Sequence, residues 1–212
     1  MNNNSPDNGK PLTQTNSRQY LDSLLGDMIS FPERRAEITQ AIEETFGQSK
    51  AVLVLDMSGF SRTTHQHGII LFLLMIHQMQ LICRPCVEQG GGMVIKADAD
   101  NLFCLFETVA DAVKTSQEII TRLTAVNTVL PADRHLYVAI GVGYGKILNI
   151  ADKDIFGDEV NLACKLGEDI ARQGEVLLTS AAMAEVDGLG IVTRADEISI
   201  SGMSLTYYFV EG

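Results

Sequence analysis

From residue 51 onward, short apolar runs alternate with longer segments of helical periodicity, and the order of these segments constrains the fold more than any other feature. The order is strand, helix, strand, strand, helix, strand, followed by further short elements. The two middle strands flank a short polar turn and so predict a hairpin. The sequence therefore predicts an α+β domain with a ferredoxin-like βαββαβ core and additional strands and helices, its antiparallel sheet carrying helices on one face.

The boundaries of these elements follow from the apolar runs and from the Gly and Asp residues between them. The predicted strands are 51–55, 93–97, 101–106, 136–144, 175–179, a segment near Ile191, and 205–210. The predicted helices are 64–87, 108–126, 159–172 and 180–186.

Composition divides the chain into three parts. With 212 residues, of which 46% are hydrophobic, it is long enough for one sizeable domain with a proper core. Residues 1–19 are polar and are predicted to be a disordered leader. Residues 20–47 form a predicted helical lead-in with a break at Phe31-Pro32, and 48–212 form the main domain. The lead-in is either a segment that packs on the domain or one that transmits a signal or forms a dimer. An amphipathic helix is compatible with each of these roles.

The formal net charge of −11 argues against binding to nucleic acid or to an anionic membrane, because either would need a basic face. The leader lacks the apolar region of a secretory signal. The longest apolar stretch, 69–83, contains His77, Gln78 and Gln80 and is predicted to be a core helix without membrane insertion. We therefore expect a soluble, cytoplasmic protein.

Two aspartates stand where apolar strands end, and they are the first candidates for chemistry. Asp56 closes the run 51–55, and Asp100 lies in the predicted hairpin. Either alone is a common turn or N-cap residue. On neighbouring strands, however, the pair has the geometry that holds two metal ions. If the strand stays regular, Asp98 shares the face of Asp100.

Three further segments carry polar groups at informative spacing. The residues after Asp56, namely Gly59, Phe60 and Ser61, offer backbone N–H groups to a phosphate at the start of a helix. Asn161 and Lys165 stand four residues apart and share a helix face, which is otherwise typical of a solvated surface. The run 141–145 is rich in glycine but lies in a strand and opens no helix, which excludes a dinucleotide-binding motif.

With these segments in order, residues 48–212 resemble the catalytic domain of the class III nucleotidyl cyclases, the adenylate and guanylate cyclases. Four motifs carry the resemblance. They are 55–61 (LDMSGFS), 96–100 (KADAD), 154–157 with 160–161 (DIFG and VN), and 205–210 (LTYYFV).

The resemblance implies attack of the ribose 3′-OH on the α-phosphate, giving a cyclic 3′,5′-monophosphate and pyrophosphate. It implies two divalent cations, Mg²⁺ or Mn²⁺, with Asp56, Met57 and Asp100 at the metal site. Lys96 and Asp154 would read the base. Asn161 would orient the ribose, and Lys165 would stabilise transition-state charge on the α-phosphate.

Hydrogen-bond complementarity then favours ATP. A lysine donates to N1 of adenine and an aspartate accepts from its N6 amine, whereas guanine would place its O6 acceptor against the carboxylate. Lys96 with Asp154 therefore predicts an adenylate cyclase. The alternatives are a cyclase that uses GTP or a pyrimidine nucleotide, and a weakly active nucleotide-binding regulatory or dimerisation module.

The resemblance also implies a head-to-tail, two-fold homodimer, with the metal aspartates from one protomer and the other site residues from its partner. The chain departs from the family pattern in three places, one of which is the segment 201–203, which lacks the lysine that binds the terminal phosphates in some members. Lys165 stands where the family has an arginine, which keeps the charge but loses the planar fork. Ala99 replaces the glycine before the second metal aspartate.

Overall fold

The computed structural model describes residues 15–58, 68–200 and 203–211. The helices are α1 (Arg18–Ser30), α2 (Arg35–Phe46), α3 (Ile69–Gln89), α4 (Val109–Asn127), α5 (Asp158–Cys164) and α6 (Ser180–Val186). The strands are β1 (Gly47–Met57), β2 (Met93–Asp98), β3 (Asn101–Phe106), β4 (Val138–Ile150), β5 (Asp154–Phe156), β6 (Val176–Thr179), β7 (Thr193–Ile200) and β8 (Met203–Val210).

The predicted α+β class and βαββαβ core are confirmed. The core is β1-α3-β2-β3-α4-β4, and its strands lie in the order β2-β3-β1-β4 with every neighbouring pair antiparallel. The sheet then continues through β6, β8 and β7. The prediction of an antiparallel sheet fails only in this extension, because β6 runs parallel to β4 after a crossover through β5 and α5.

The two core helices, α3 and α4, cover one face of the sheet as predicted, and α5, which lies outside the core, covers the other face. Leu53 and Leu55 pack in the cluster that contains residues of α3 and α4, whereas Val52 and Val54 pack with Val160 of α5. Successive side chains of a strand point to opposite faces. The signal was present in the sequence, because β1 is an uninterrupted apolar run, as expected for a strand buried on both faces.

The lead-in is helical with the predicted break, which takes the form of the 3₁₀ turn Pro32–Arg34. Tyr20, Leu24, Ile42 and Phe46 form one cluster with Ile150 at the end of β4. The two helices thus pack on each other and on the sheet. Most of the predicted disordered leader lies outside the described residues, but α1 begins at Arg18, two residues earlier than predicted.

Helix α3 is longer than the apolar stretch recognised in the sequence. Its inner face is buried in the core through Phe72, Met75 and Met79, and its outer face exposes Ile70 and Leu73. Over the described residues it is the one helix whose length and composition match a membrane span, with a third of its most apolar window buried.

The cysteines at the end of α3 are ordinary core residues. Cys83 and Cys86 are buried and free, and burial raises the pKa of the Cys83 thiol to about 12. A thiol with so high a pKa is a poor nucleophile at neutral pH.

Candidate active site

The first of the two predicted metal aspartates, Asp56, lies one residue before the end of the central strand β1, next to the hairpin turn. Asp56 pairs with Asn101 of β3. The next backbone N–H, that of Met57, donates to the carbonyl of Asp100 at 3.3 Å. The two predicted metal aspartates are therefore adjacent. The Met57 side chain is buried in the core, so only the backbone of this residue is available to a bound ion.

The turn before Asp100 is tighter than strand alternation predicts. Strand β2 ends at Asp98, which pairs with Asn101, and only Ala99 and Asp100 connect the two strands. The expectation that Asp98 and Asp100 share a strand face was therefore wrong. Ala99 has φ of +50°, in the left-handed region that favours glycine.

Carboxylates crowd around Asp56. Burial, reinforced by the negative charges of Asp100, Glu168 and Asp169, raises the pKa of Asp56 to about 7. Such a group of oxygen donors suits a hard divalent cation, whose charge would relieve the repulsion. Among the described residues, no three His, Cys, Asp or Glu side chains are arranged to hold a metal ion together.

Glu168 was missed by the sequence analysis. Its Oε1 accepts from Nδ2 of Asn101 at 2.9 Å, which fixes it next to the hairpin turn. Burial raises its pKa, and so do the charges of Asp169, Asp100 and Asp98. The available signal was its position three residues after Lys165 on the predicted helix.

The predicted base-reading residues meet directly. Nζ of Lys96 lies 2.7 Å from Oδ1 of Asp154, although 58 residues separate them in sequence. The same Oδ1 accepts from the backbone N–H of Ile155 at 3.0 Å, and Nζ of Lys96 lies 4.8 Å from the centroid of the Phe103 ring. Both charged side chains are about one-third exposed, so a ligand can reach them.

Asp154 owes its position to β5, a three-residue strand that the sequence analysis did not predict. β5 pairs with the end of β4 after a turn in which Ala151 and Asp152 both have positive φ. The buried Asn149 secures that turn. Its Oδ1 accepts from the N–H of Asp152 at 3.1 Å, and its Nδ2 donates to the Asp152 carboxylate at 2.6 Å.

Asn161 and Lys165 lie where the α-helical turns of α5 give way to the π-helical segment Lys165–Ile170. Asn161 is exposed, and Nζ of Lys165 pairs with the carboxylate of Asp169. Interruptions of this kind are frequent at functional sites. The predicted phosphate-binding residues Gly59, Phe60 and Ser61 lie outside the described residues.

The glycine run in β4 explains how α5 approaches the sheet so closely. A Cβ on Gly141 would lie 2.1 Å from the carbonyl oxygen of Ala163, and one on Gly143 would lie 2.7 Å from that of Glu159. The carboxylate of Glu159 then accepts from Tyr144 N at 3.1 Å. The role of these glycines is structural: without side chains, they let the helix that carries Asn161 lie against β4.

Comparison with known proteins identifies this fold. No protein-family model matches the chain. A Rhizobium meliloti (strain 1021) protein, provisionally named adenylate cyclase 3, is 29% identical over 138 residues. That match covers 65% of this chain but only 23% of the relative, so the chain spans about a quarter of the length of the relative it matches.

Solved structures match over more of the chain. The adenylyl cyclase CyaB from P. aeruginosa aligns with TM-score 0.66 and 19% identity, over 78% of this chain and 96% of that one. An adenylate/guanylate cyclase/hydrolase from Silicibacter pomeroyi aligns with TM-score 0.66 and 22% identity, over 77% and 96%. The chain therefore has the fold of class III adenylate/guanylate cyclase catalytic domains.

Proposed function

We propose that this protein is a class III nucleotidyl cyclase that converts ATP to 3′,5′-cyclic AMP and pyrophosphate. The observation that carries the proposal is the contact between Lys96 and Asp154 within a cyclase fold. A lysine and an aspartate side by side present a donor and an acceptor, which complement the N1 acceptor and the N6 donor of adenine. The adjacent pair Asp56 and Asp100 supports the metal-dependent part of the reaction.

Asp56 and Asp100 hold two divalent cations, Mg²⁺ or Mn²⁺, in this proposal. When bound, these ions supply a lowered pKa for the 3′-OH and charge neutralisation for the triphosphate. The carboxylates of the protein favour cation binding, because their mutual repulsion is relieved when a cation binds between them. Both ions fit the all-oxygen donor set.

The remaining chemistry is positioning and charge stabilisation. The Asn161 amide orients the ribose so that O3′ lies in line with the leaving pyrophosphate. Lys165 supplies positive charge to the α-phosphate oxygens, on which negative charge accumulates as the new O–P bond forms and the bond to pyrophosphate breaks. To do so, its ammonium must exchange the Asp169 carboxylate for phosphate.

Base selection follows from the geometry of one carboxylate. Lys96 donates to N1 of adenine, and Asp154 accepts from the N6 amine. Guanine offers an acceptor where adenine has its amine, and a buried mismatch of this kind is costly. Because both side chains are about one-third exposed, we expect a preference for ATP that is smaller than an enclosed pocket would give.

A two-fold homodimer belongs to the proposal. In the family that this chain resembles, one subunit supplies the metal aspartates of a site and its partner supplies the base-reading pair. On this chain, helix α3 exposes several large apolar side chains, which in soluble proteins mark interaction surfaces. They are Ile69, Ile70, Leu73, Leu74 and Leu81.

Product analysis tests the function. The purified protein is incubated with ATP, GTP, CTP or UTP and with Mg²⁺ or Mn²⁺, beside the variants Asp100→Ala and, as control, Glu185→Ala. Glu185 is exposed on α6 and belongs to none of the four motifs. We expect cyclic AMP from ATP, lost in Asp100→Ala and kept in Glu185→Ala.

The other outcomes are equally informative. A different cyclic nucleotide would retain the mechanism and contradict the base assignment. Absence of any cyclic product, with every nucleotide and both metals, would contradict the proposed enzyme and favour a regulatory nucleotide-binding module.

A further inference from the structure

The segment that leads into α1 is fastened to the hairpin that carries Asp154. The amide of Asn16 makes two hydrogen bonds there. Its Nδ2 donates to the carbonyl of Asn149 at 2.9 Å, and its Oδ1 accepts from the backbone N–H of Ala151 at 2.7 Å. A paired contact of this kind fixes both position and direction. The N-terminus of α1 therefore lies beside the base-reading carboxylate.

Arg18, the first residue of α1, faces one oxygen of the Asp154 carboxylate, and Lys96 contacts the other. Its Nη1 lies 3.8 Å from Oδ2 of Asp154, and its Nε donates to the Asp22 carboxylate at 3.1 Å. The two oxygens of Asp154 are thus differently engaged. Oδ1 accepts from Lys96 and from the N–H of Ile155, whereas Oδ2 faces the guanidinium.

Oδ2 is therefore the acceptor left for a nucleobase, and Arg18 competes for it. An adenine amine must share this oxygen with a cation that has five N–H donors. The guanidinium also offers what guanine seeks at this place, because O6 of guanine is an acceptor. With α1 docked, the subsite is less selective for adenine than Lys96 and Asp154 would make it alone.

We propose that Arg18 is a specificity-determining residue that weakens the preference for adenine over guanine nucleotides by occupying Oδ2 of Asp154. The inference rests on the proposed function of Asp154 as the base reader. The contact is half-exposed and longer than a hydrogen bond, so its effect is that of a screened ion pair. Such pairs change an equilibrium about two- to five-fold at most.

Binding of non-reactive nucleotides tests the inference without turnover. The probes are 3′-deoxy-ATP and 3′-deoxy-GTP with Mg²⁺, which lack the attacking hydroxyl. Isothermal titration gives both dissociation constants for the full chain and for three variants, Arg18→Ala, Arg34→Ala and Asp154→Ala. Arg34 is the matched control, because it is an exposed lead-in arginine paired with Glu37.

Removal of Arg18 is expected to raise the affinity ratio of the adenine over the guanine probe about two- to five-fold. Arg34→Ala is expected to leave the ratio unchanged. The difference between wild type and Arg18→Ala should shrink as salt rises, because the pair is screened. A merely structural role of Arg18 would change both affinities together and leave their ratio fixed.

Two results would overturn the inference, and they are distinguishable. An unchanged or lowered ratio in Arg18→Ala, with Asp154→Ala still losing adenine preference, contradicts the role of Arg18 alone. If the adenine probe 3′-deoxy-ATP binds no form of the protein, with folding verified by circular dichroism, the proposed function is contradicted and the inference with it.

Discussion

At the scale of single residues, Asp56 shows how a functional group conflicts with stability. Burial and three neighbouring carboxylates raise its pKa to about 7. Asp56 is half-buried, and a charge withdrawn from water beside other negative charges costs free energy until a cation neutralises it. The position is therefore favourable for a metal-bound protein and unfavourable for a metal-free one.

Asp56→Asn should make the metal-free protein more stable and abolish cyclase activity. The carboxyl has a pKa near 4 in the unfolded chain and about 7 when folded. Stability of the wild type should therefore fall as pH rises through that window, because unfolding then releases a proton. At pH 7.5 we expect the melting temperature of Asp56→Asn to lie roughly 2–4 °C above that of the wild type. This is the shift that a gain of about 1 kcal/mol in the free energy of unfolding produces in a chain of this size.

Thermal unfolding in EDTA measures this difference, and Glu185→Asn serves as the control. Equal melting temperatures for wild type and Asp56→Asn at pH 7.5 would contradict the claim that the carboxylate is a liability without metal.

Lys165→Arg is expected to raise turnover. An arginine presents two N–H donors in a fixed fork to the α-phosphate, where a lysine presents a single point charge. We expect kcat to rise about tenfold with little change in KM, because the added contact forms mainly in the transition state. Steady-state kinetics measure this, and a lower kcat would remove Lys165 from its proposed role.

Ala99 is a second departure whose cost the structure makes visible. Its φ of +50° places an alanine where glycine is unstrained. Ala99→Gly should therefore stabilise the protein by about 1 kcal/mol, since the left-handed conformation costs an L-residue roughly that much. Denaturant unfolding measures the gain, and destabilisation by the substitution would show that the strain is absent.

At the scale of elements, the sequence predicts the core well because its signals are local. The hairpin partner 101–106 and the helix 180–186 have the predicted bounds, each being framed by turn residues. β5 was missed because three residues carry no periodicity, and only pairing with β4 makes them a strand. The placement of α5 was missed because it depends on contacts between distant segments.

The candidate site divides in the same way. Asp56, Asp100, Lys96 and Asp154 were found from their motifs, and the structure joins them in two adjacent pairs. Arg18 and Glu168 belong to no motif, and their positions follow from packing. The sequence therefore identifies residues that belong to a motif, whereas neighbours such as Arg18 and Glu168, which change the environment of those residues, are found only in the folded structure.

The close approach of α5 to β4 gives a prediction at this scale. In Gly141→Ala the new Cβ would meet the Ala163 carbonyl oxygen at 2.1 Å, which forces the helix off the sheet. We expect destabilisation of about 1–3 kcal/mol or more, together with loss of activity as Asn161 moves. Gly26→Ala is the control.

Gly26 lies inside α1 with nothing within 4 Å of its Cβ position, so Gly26→Ala should be neutral or stabilising by up to about 1 kcal/mol. Urea unfolding compares the two substitutions. Equal stabilities for Gly141→Ala and wild type would mean that β4 and α5 can separate without cost.

At the scale of the whole molecule, the proposed dimer predicts complementation between inactive chains. Asp100→Ala lacks the metal half of the site and Asn161→Ala lacks the ribose half. Mixed and reassociated in equal amounts, they form half heterodimers, each with one of its two sites intact, so about a quarter of the wild-type activity should return.

Activity of the mixture is compared with that of each variant reassociated with itself, at equal total protein. An inactive mixture in which heterodimers are detected would contradict the division of the site between protomers.

The three-residue strand β5 affects how the protein can evolve, because it carries Asp154 apart from the central strands. The proposed metal ligand Asp56 lies near the end of β1. This strand is paired on both sides and buried on both faces, so its backbone amides should exchange with solvent only on global opening. Asp154 lies on a short hairpin beside Arg18, whose side chain is exposed. If Asp154 reads the base and Asp56 binds metal, as proposed, substitutions in a few peripheral residues can alter the accepted nucleotide while the metal ligands stay in place.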